Sequence, residues 1–248
     1  MTAPRDEVLF AEGPGDRGPS LNRILDAISG EERSRLLRGV ERVSHPRGET
    51  LSRQGESVQK VYFPITAVLS LVTTLNDGST IEISTIGNEG TTGVPVFLGG
   101  ESIANATCLC QIPGESLSLD SEILRAAFRE SDQLRSVMGR YVLALLVQVG
   151  QSVACNALHP TIERAARWLL TSHDRVRADE FSLTQEFLSY MLGVRRASVT
   201  VAARTLQAAG LIDYHRGTIE ILDRPGLEEA ACECYAVTRS AIEEAVGR

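Results

Sequence analysis

Hydrophobic and polar residues follow three successive patterns along the chain, and each pattern predicts a different structure. Between residues 20 and 43, apolar residues recur at helical spacing after Ser20, a suitable helix N-cap. Between residues 45 and 119, the apolar runs are short and are separated by turn residues. One of these turns, Asn76-Asp77-Gly78, is typical of a β-hairpin. The second pattern therefore predicts a β-roll of the jelly-roll or sandwich type.

A long helix is predicted over residues 131–157, where a heptad spacing alternates steps of four and three. This pattern has two interpretations: the helix packs on its own β-domain, or it pairs with its twin across a dimer axis. We favour the second interpretation. The predicted dimer contacts are the residues at the heptad positions, namely Leu134, Met138, Tyr141, Leu145 and Gln148.

The third pattern begins after His159-Pro160 and predicts a winged helix-turn-helix. A helix over 161–170 and a polar loop precede two further helices, 184–192 and 195–209, which are separated by a turn at Gly193. Two short strands, 211–214 and 218–222, come next and form the predicted wing, and a closing helix begins near Pro225.

The second helix of this pair has the composition of a DNA recognition helix. Small residues on its outer face would let it enter a major groove, while hydroxyl and guanidinium groups would reach bases or phosphates. The predicted DNA contacts are Arg195, Arg196, Ser198, Thr200, Arg204 and, at the tip of the wing, Arg216. The alternative is a ligand- or redox-sensing protein whose winged helix unit binds a protein partner.

Charge and composition narrow the function class. The chain of 248 residues has a formal net charge of −7, so DNA binding would depend on a local basic face. No secretory signal and no membrane span are expected, which predicts a cytoplasmic protein without a membrane partner. Motifs for catalysis are absent from the sequence, and we expect neither an enzyme nor a cofactor.

The five cysteines and four histidines are expected to bind no metal. Cys108 and Cys110 would lie on one strand as small core residues, and Cys232 and Cys234, if helical, would point about 200° apart. The histidines are scattered along the sequence without metal-ligand spacing. Buried structural thiols are the favoured interpretation, with redox sensing as an open alternative.

Two stretches resemble the Crp/Fnr family of bacterial transcription regulators. TQEFLSYMLGVRRASVTVAARTLQAAGLI (184–212) is similar to the family's helix-turn-helix, and YFPITAVLSLVTTLNDGSTIEISTIGNEGTTGVP (62–95) is similar to its cyclic-nucleotide-binding-like β-roll. The resemblance implies an α+β homodimer that binds double-stranded DNA, with RNA polymerase as a further partner. The implied domains are a disordered tail (1–19), a β-roll sensor (20–130), a dimerisation helix (131–157), a winged helix-turn-helix (158–224) and a C-terminal helix (225–248).

The resemblance also carries expectations for individual residues. Arg196 matches the arginine that reads guanine in the family, whereas Ala197 and Val201 replace two other base-reading positions, so the operator should differ. The implied effector pocket contains Glu89, Gly90, Thr91 and Thr92. The arginine that pairs with a cyclic phosphate is missing: residues 61–124 contain no Lys or Arg. Burying a phosphate there would be costly, so we expect an unknown small-molecule effector, not cyclic AMP or cyclic GMP.

Overall fold

The computed structural model describes residues 22–98, 101–176 and 178–247, and the predicted disordered tail over 1–19 lies outside these residues. The N-terminal part contains seven strands and four helices: two helices precede the strands, one lies between the fifth and sixth strands, and one follows the seventh. In chain order its elements are α1 (Arg23–Asp26), α2 (Gly30–Leu37), β1 (Val40–His45), β2 (Thr50–Ser52), β3 (Lys60–Pro64), β4 (Val68–Thr74), β5 (Thr80–Ile86), α3 (Val94–Leu98), β6 (Thr107–Ile112), β7 (Gly114–Asp120) and α4 (Ser121–Glu130). The helical spacing predicted over 20–43 gives helix only as far as Leu37, and residues 40–43 belong to the first strand.

The seven strands form two antiparallel sheets, in the orders β1-β7-β3 and β2-β6-β4-β5. Buried apolar side chains alternate along the strands, with Phe63, Leu117 and Leu119 in the first sheet and Leu69 and Cys110 in the second. The predicted hairpin joins β4 to β5, and Gly78 adopts the positive φ of +85° that the turn requires. The predicted β-roll is thus confirmed.

A single long helix, α5 (Asp132–Leu158), comes after the β-roll. The Ser131 side chain caps it by accepting a hydrogen bond of 2.9 Å from the Leu134 backbone amide. Pro160 cannot donate a backbone hydrogen bond, which explains why the helix ends just before it. The helix therefore spans nearly the range that the heptad spacing predicted.

The face of α5 that carries the predicted dimer contacts packs against its own chain. Leu134, Met138, Tyr141 and Gln148 are at most 5 % exposed, and Leu145 is half-buried. Gln148 bonds to β5, accepting from the Ser84 hydroxyl at 2.9 Å and donating to the Thr85 carbonyl at 3.2 Å. These residues are covered within one chain, so the heptad they form is an intrachain seam and not a free dimer surface.

Among the described residues, α5 is also long and apolar enough to cross a membrane, as judged by length and composition alone. This differs from the expectation that no such stretch exists, because residues 141–158 carry no charged side chain. The polar Gln148 and Ser152 are nevertheless buried within the same stretch. One side of α5 is thus occupied by the chain's own β-roll.

The C-terminal part contains the predicted winged helix. Its elements are α6 (Thr161–Val176), β8 (Glu180–Ser182), α7 (Gln185–Leu192), α8 (Arg196–Ala208), β9 (Ile212–His215), β10 (Thr218–Ile221), α9 (Arg224–Ala230) and α10 (Cys234–Val246). Three details differ from the sequence prediction. The first helix continues to Val176, the polar loop contains strand β8 in a β8-β10-β9 sheet, and the closing helix is interrupted between Ala230 and Cys234.

Candidate nucleic-acid interface and sensor loop

The helix-turn-helix is formed by α7 and α8. The Thr184 hydroxyl caps α7, accepting a hydrogen bond of 3.1 Å from the Phe187 amide. Gly193 ends the helix in the left-handed conformation, with φ +61° and ψ +38°. On α8, the buried Val199, Ala202 and Leu206 face the core, so the opposite side of the helix faces outward.

Most of the predicted DNA contacts lie on this outward side. The side chains of Arg195, Arg196 and Arg204 are exposed, and Ser198 is half-buried. Thr200 is different, because its hydroxyl lies 2.8 Å from Gln185 Oε1 and 3.0 Å from the Arg196 carbonyl. Its hydrogen is therefore engaged within the helix-turn-helix, where it joins α8 to the start of α7.

Tyr190 is an exposed aromatic residue on α7 that is not among the predicted DNA contacts. It is 51 % exposed, and Val201 on α8 is 65 % exposed. The helical spacing of α7 could have predicted this exposure. The buried positions 188, 191 and 192 define one side of the helix, and position 190 is turned away from that side.

The wing is the hairpin of β9 and β10, which has Arg216 at its tip. His215 pairs with Thr218, so Arg216 and Gly217 form a two-residue loop. Both have positive φ, +50° and +82°, as a type I′ turn requires. This turn projects the Arg216 side chain into solvent.

The predicted effector residues lie in the loop after β5, and all four are buried. The Tyr141 hydroxyl of α5 donates to the Thr91 carbonyl at 2.8 Å, and a Cβ added to Gly90 would meet the same hydroxyl at 2.8 Å. The Thr92 hydroxyl oxygen accepts from the Tyr62 amide at 2.9 Å. Residues 90–92 are thus held by the protein's own α5 and β3.

Glu89 differs from its three neighbours because it binds a cation from outside the β-roll. Arg175 of α6 donates from Nε to Glu89 Oε1 at 2.8 Å, and both side chains are buried. A Cβ added to Gly87 would meet the Arg175 side chain at 2.5 Å. The sequence predicts no cation near this loop, whereas the fold brings one from 86 residues away and pairs it with Glu89.

A second buried acid, Glu82, lies where the sheet β2-β6-β4-β5 meets α6. Its carboxylate accepts a hydrogen bond of 2.5 Å from the Ser70 hydroxyl and one of 3.0 Å from Trp168 Nε1. Burial raises the pKa of Glu82 to about 7, although these two hydrogen bonds and the nearby Arg167 and Arg175 act in the opposite direction.

Two family models match the chain in sequence order. A cyclic nucleotide-binding domain model matches residues 42–131, and a Crp-like helix-turn-helix domain model matches residues 163–230. Together they cover the β-roll and the winged helix described above. The chain belongs to the Crp/Fnr family. It is a Crp/Fnr-type transcriptional regulator with a cyclic nucleotide-binding domain and a DNA-binding helix-turn-helix domain.

Relatives agree with this assignment. The chain is 21 % identical, over 91 % of its length and 99 % of the other protein, to a CRP-like cAMP-activated global transcriptional regulator of Mycobacterium tuberculosis. In fold it is similar to FixK2 of Bradyrhizobium japonicum (TM-score 0.67, 16 % identity, 78 % and 98 % of the two chains). A Crp/Fnr family protein of Eubacterium rectale is similar as well (TM-score 0.63, 15 % identity, 87 % and 97 %).

A cavity of about 300 Å³ lies in this Crp/Fnr regulator beside the buried ion pair. Its wall includes Glu89 from the sensor loop and Arg175 from α6, together with Arg224 and Arg239 from the C-terminal helices. The two C-terminal arginines bind acids, Arg224 at Asp174 and Arg239 at Glu228. Of the four predicted pocket residues, only Glu89 lines this cavity.

Four residues that are far apart in the sequence or not expected to share a site come together at the end of α5. The side-chain ligand atoms of Cys155, His159, Cys232 and Cys234 all lie within 4.8 Å of one another. This differs from the prediction that no metal-ligand set exists. The prediction assumed that Cys232 and Cys234 share one helix, but Cys232 precedes α10 and Cys234 is its first residue.

Proposed function

We propose that this regulator binds a palindromic operator as a homodimer, with Arg196 reading a base. The observation that carries the proposal is the outward face of α8, where Arg195, Arg196 and Arg204 are exposed together. Arginine donates two parallel hydrogen bonds to guanine in the major groove, and at a helix start it also reaches phosphate. Ser198 and the wing residue Arg216 would then hold the helix on the DNA backbone.

The second face of α5 supports the homodimer. Its exposed residues form a heptad of their own, and they are apolar or small: Gly139, Leu143, Leu146, Gly150, Val153 and Ala157. Leu143, Leu146 and Val153 are each more than 60 % exposed. A row of exposed leucine and valine at this spacing is typical of a coiled-coil seam. We propose this seam as the dimer interface, in place of the intrachain seam that begins at Leu134.

Dimer symmetry determines the form of the operator. Two recognition helices related by a two-fold axis read half-sites that are inverted and separated by about one helical turn. Ala197 and Val201 present only small apolar groups on the reading face, so fewer bases are read by hydrogen bonds. RNA polymerase is a natural further partner of such a regulator, and the cytoplasm is its expected compartment.

We also propose that cyclic AMP is not the effector, although the Mycobacterium tuberculosis relative is described as cAMP-activated. The cation bonded to the sensor loop, Arg175, is already neutralised by Glu89. Arg224 and Arg239 on the wall of the adjoining cavity are likewise paired with acids. Tyr141 and the Arg175 stem lie against Gly90 and Gly87. A cyclic phosphate would have to break this buried pair and displace both side chains.

The test of the DNA-binding proposal is operator selection from genomic fragments with the wild-type protein and with Arg196→Ala. We expect inverted half-sites for the wild type. For the variant we expect a loss of about 1–3 kcal/mol in operator binding and relaxed preference at one base position per half-site.

Arg216→Ala is the matched control, because it removes a cation from the wing and not from the reading face. It should weaken binding to all sequences. The slope of log affinity against log salt concentration should become shallower, by the amount expected for about one phosphate contact. If the wild-type protein binds neither operator nor random DNA at low salt, the winged helix is a protein-binding unit. If Arg196→Ala selects the same operator with unchanged affinity, Arg196 does not read a base.

A further inference from the structure

Three thiols and one imidazole form a compact group where the sensor domain is joined to the DNA-binding domain. Cys155 Sγ lies 3.5 Å from Cys232 Sγ, and Cys234 Sγ lies 3.5 Å from His159 Nδ1. The three cysteines are at most 5 % exposed. A disulfide needs its sulfur atoms about 2.05 Å apart, so the thiols at 3.5 Å are free.

Three separate pieces of backbone build this group. Cys155 lies in the last turn of α5, and His159 comes directly after the end of that helix, with its amide bonded to the Cys155 carbonyl at 3.1 Å. Cys232 lies in the break between α9 and α10, and Cys234 starts α10. This break turns both thiols toward the end of α5, which a continuous helix could not do.

We propose that Cys155, His159, Cys232 and Cys234 bind one zinc ion. Zinc in structural sites takes four protein ligands in a tetrahedron, and three thiolates with one histidine is a common set. With Zn–S bonds of about 2.3 Å, tetrahedral ligands lie about 3.8 Å apart. The separations of 3.5 Å, and the limit of 4.8 Å for the whole set, match that spacing after small adjustments.

The surroundings of the group fit a zinc site with three thiolates. Binding would release three thiol protons, leaving a net charge of −1 on the zinc and its ligands. Arg167 supplies positive charge close to Cys155. Arg164 is a second cation within electrostatic range of Cys155 and Cys232.

Glu233 orients His159 as a zinc ligand. The Nδ1 of His159 faces Cys234, and its Nε2 lies 3.4 Å from Glu233 Oε1. A carboxylate on the far nitrogen of a ligating histidine fixes the tautomer and increases ligand basicity. Glu233 would therefore act as a positioning residue for the metal ligand His159.

Such a zinc ion would be structural, because four protein ligands leave no open position for substrate. It would fasten α10 to the end of α5, next to the His159-Pro160 connection between the two domains. This function is independent of operator recognition and of the effector.

The experiment uses the full chain, expressed with added zinc and purified without chelators or a histidine tag. Elemental analysis should find one zinc per chain. Replacement by cobalt(II) should give the intense visible bands of a tetrahedral thiolate site and a thiolate-to-cobalt charge-transfer band. Both measurements use the wild-type protein and do not depend on any variant folding.

Variants then assign the ligands. Cys234→Ser should weaken zinc binding more than a hundredfold, and Glu233→Gln by about tenfold. Cys108→Ser is the matched control, since it removes a buried thiol of β6 that lies outside the group, and it should retain one zinc. The proposal is overturned if the wild type binds no zinc, if it holds iron instead, or if Cys234→Ser retains wild-type affinity.

Discussion

Glu82 is an acid buried between two domains. Its carboxylate accepts hydrogen bonds from Ser70 and Trp168, and its pKa is raised to about 7, chiefly by burial. In the unfolded chain the same carboxyl titrates near its ordinary value of 4.5. Between these two pH values the folded protein holds a proton that the unfolded chain has lost. The contribution of Glu82 to the free energy of unfolding therefore falls as the pH rises from about 4.5 to 7, and then levels off.

Replacing Glu82 with glutamine should remove this dependence. The amide can accept from Trp168 through its oxygen and donate to Ser70, whose own hydroxyl can donate to Gln111 Oε1 at 2.6 Å. At pH 8 we expect Glu82→Gln to be more stable than the wild type, by on the order of 3 kcal/mol, with the difference shrinking toward pH 5. Urea unfolding across this pH range measures the difference.

The exposed Glu229 on α9 provides the control for this change. Glu229→Gln should leave the pH dependence of the wild type intact. A difference between Glu82→Gln and the wild type that stays constant from pH 5 to pH 8 would show that Glu82 does not titrate as described.

Individual residues could be predicted from the sequence where local periodicity determines their environment. The exposure of Arg196 and Arg204 on α8 results from helical spacing, and so does the burial of Leu206. The pairing of Glu89 with Arg175 could not be predicted in this way, because its partners are 86 residues apart. The same holds for Cys155 and Cys232, which meet across 77 residues.

Helix α5 carries two heptad seams, and the sequence alone did not show which seam faces the β-roll. The seam of Leu134, Met138 and Gln148 is buried within the chain, and the seam of Leu143, Leu146 and Val153 is exposed. The spacing is identical in both, so periodicity cannot distinguish them. Polarity could have distinguished them. The buried seam contains Gln148, which bonds to Ser84 and Thr85 of β5, whereas the exposed seam is apolar or small throughout.

A substitution in the exposed seam of α5 tests whether this seam is the dimer interface. Leu146→Glu places a charge at the centre of the proposed dimer interface, in both protomers. Because a desolvated carboxylate without a partner is costly, we expect the dimer dissociation constant to rise by at least about a hundredfold. Analytical ultracentrifugation measures the change, and circular dichroism should show an unaltered fold.

Leu222→Glu is the matched control for the seam, since Leu222 is 55 % exposed but lies beyond β10 in the winged helix domain. This variant should sediment as the wild type does. A Leu146→Glu protein that remains dimeric at micromolar concentration would show that the dimer forms through another surface.

At the scale of the whole molecule, the sensor loop, α5 and α6 meet around one buried ion pair. Tyr141 of α5 and Arg175 of α6 both contact the loop after β5, so the loop is part of the boundary between the domains. The order of the domains could be predicted from the sequence patterns. The contact between the domains could not be predicted, because its side chains come from segments far apart in the sequence and no periodicity relates them.

This contact leads to the last prediction, that the full-length protein gives no binding heat with cyclic AMP or cyclic GMP. A cyclic nucleotide in the sensor loop would need a cation for its phosphate. The cation bonded to this loop is Arg175, which would have to leave Glu89 and so strand a buried carboxylate. Isothermal titration calorimetry at nucleotide concentrations up to the millimolar range measures this directly. Micromolar binding of either nucleotide would contradict the prediction, and it would mean that the Arg175–Glu89 pair opens to admit a ligand.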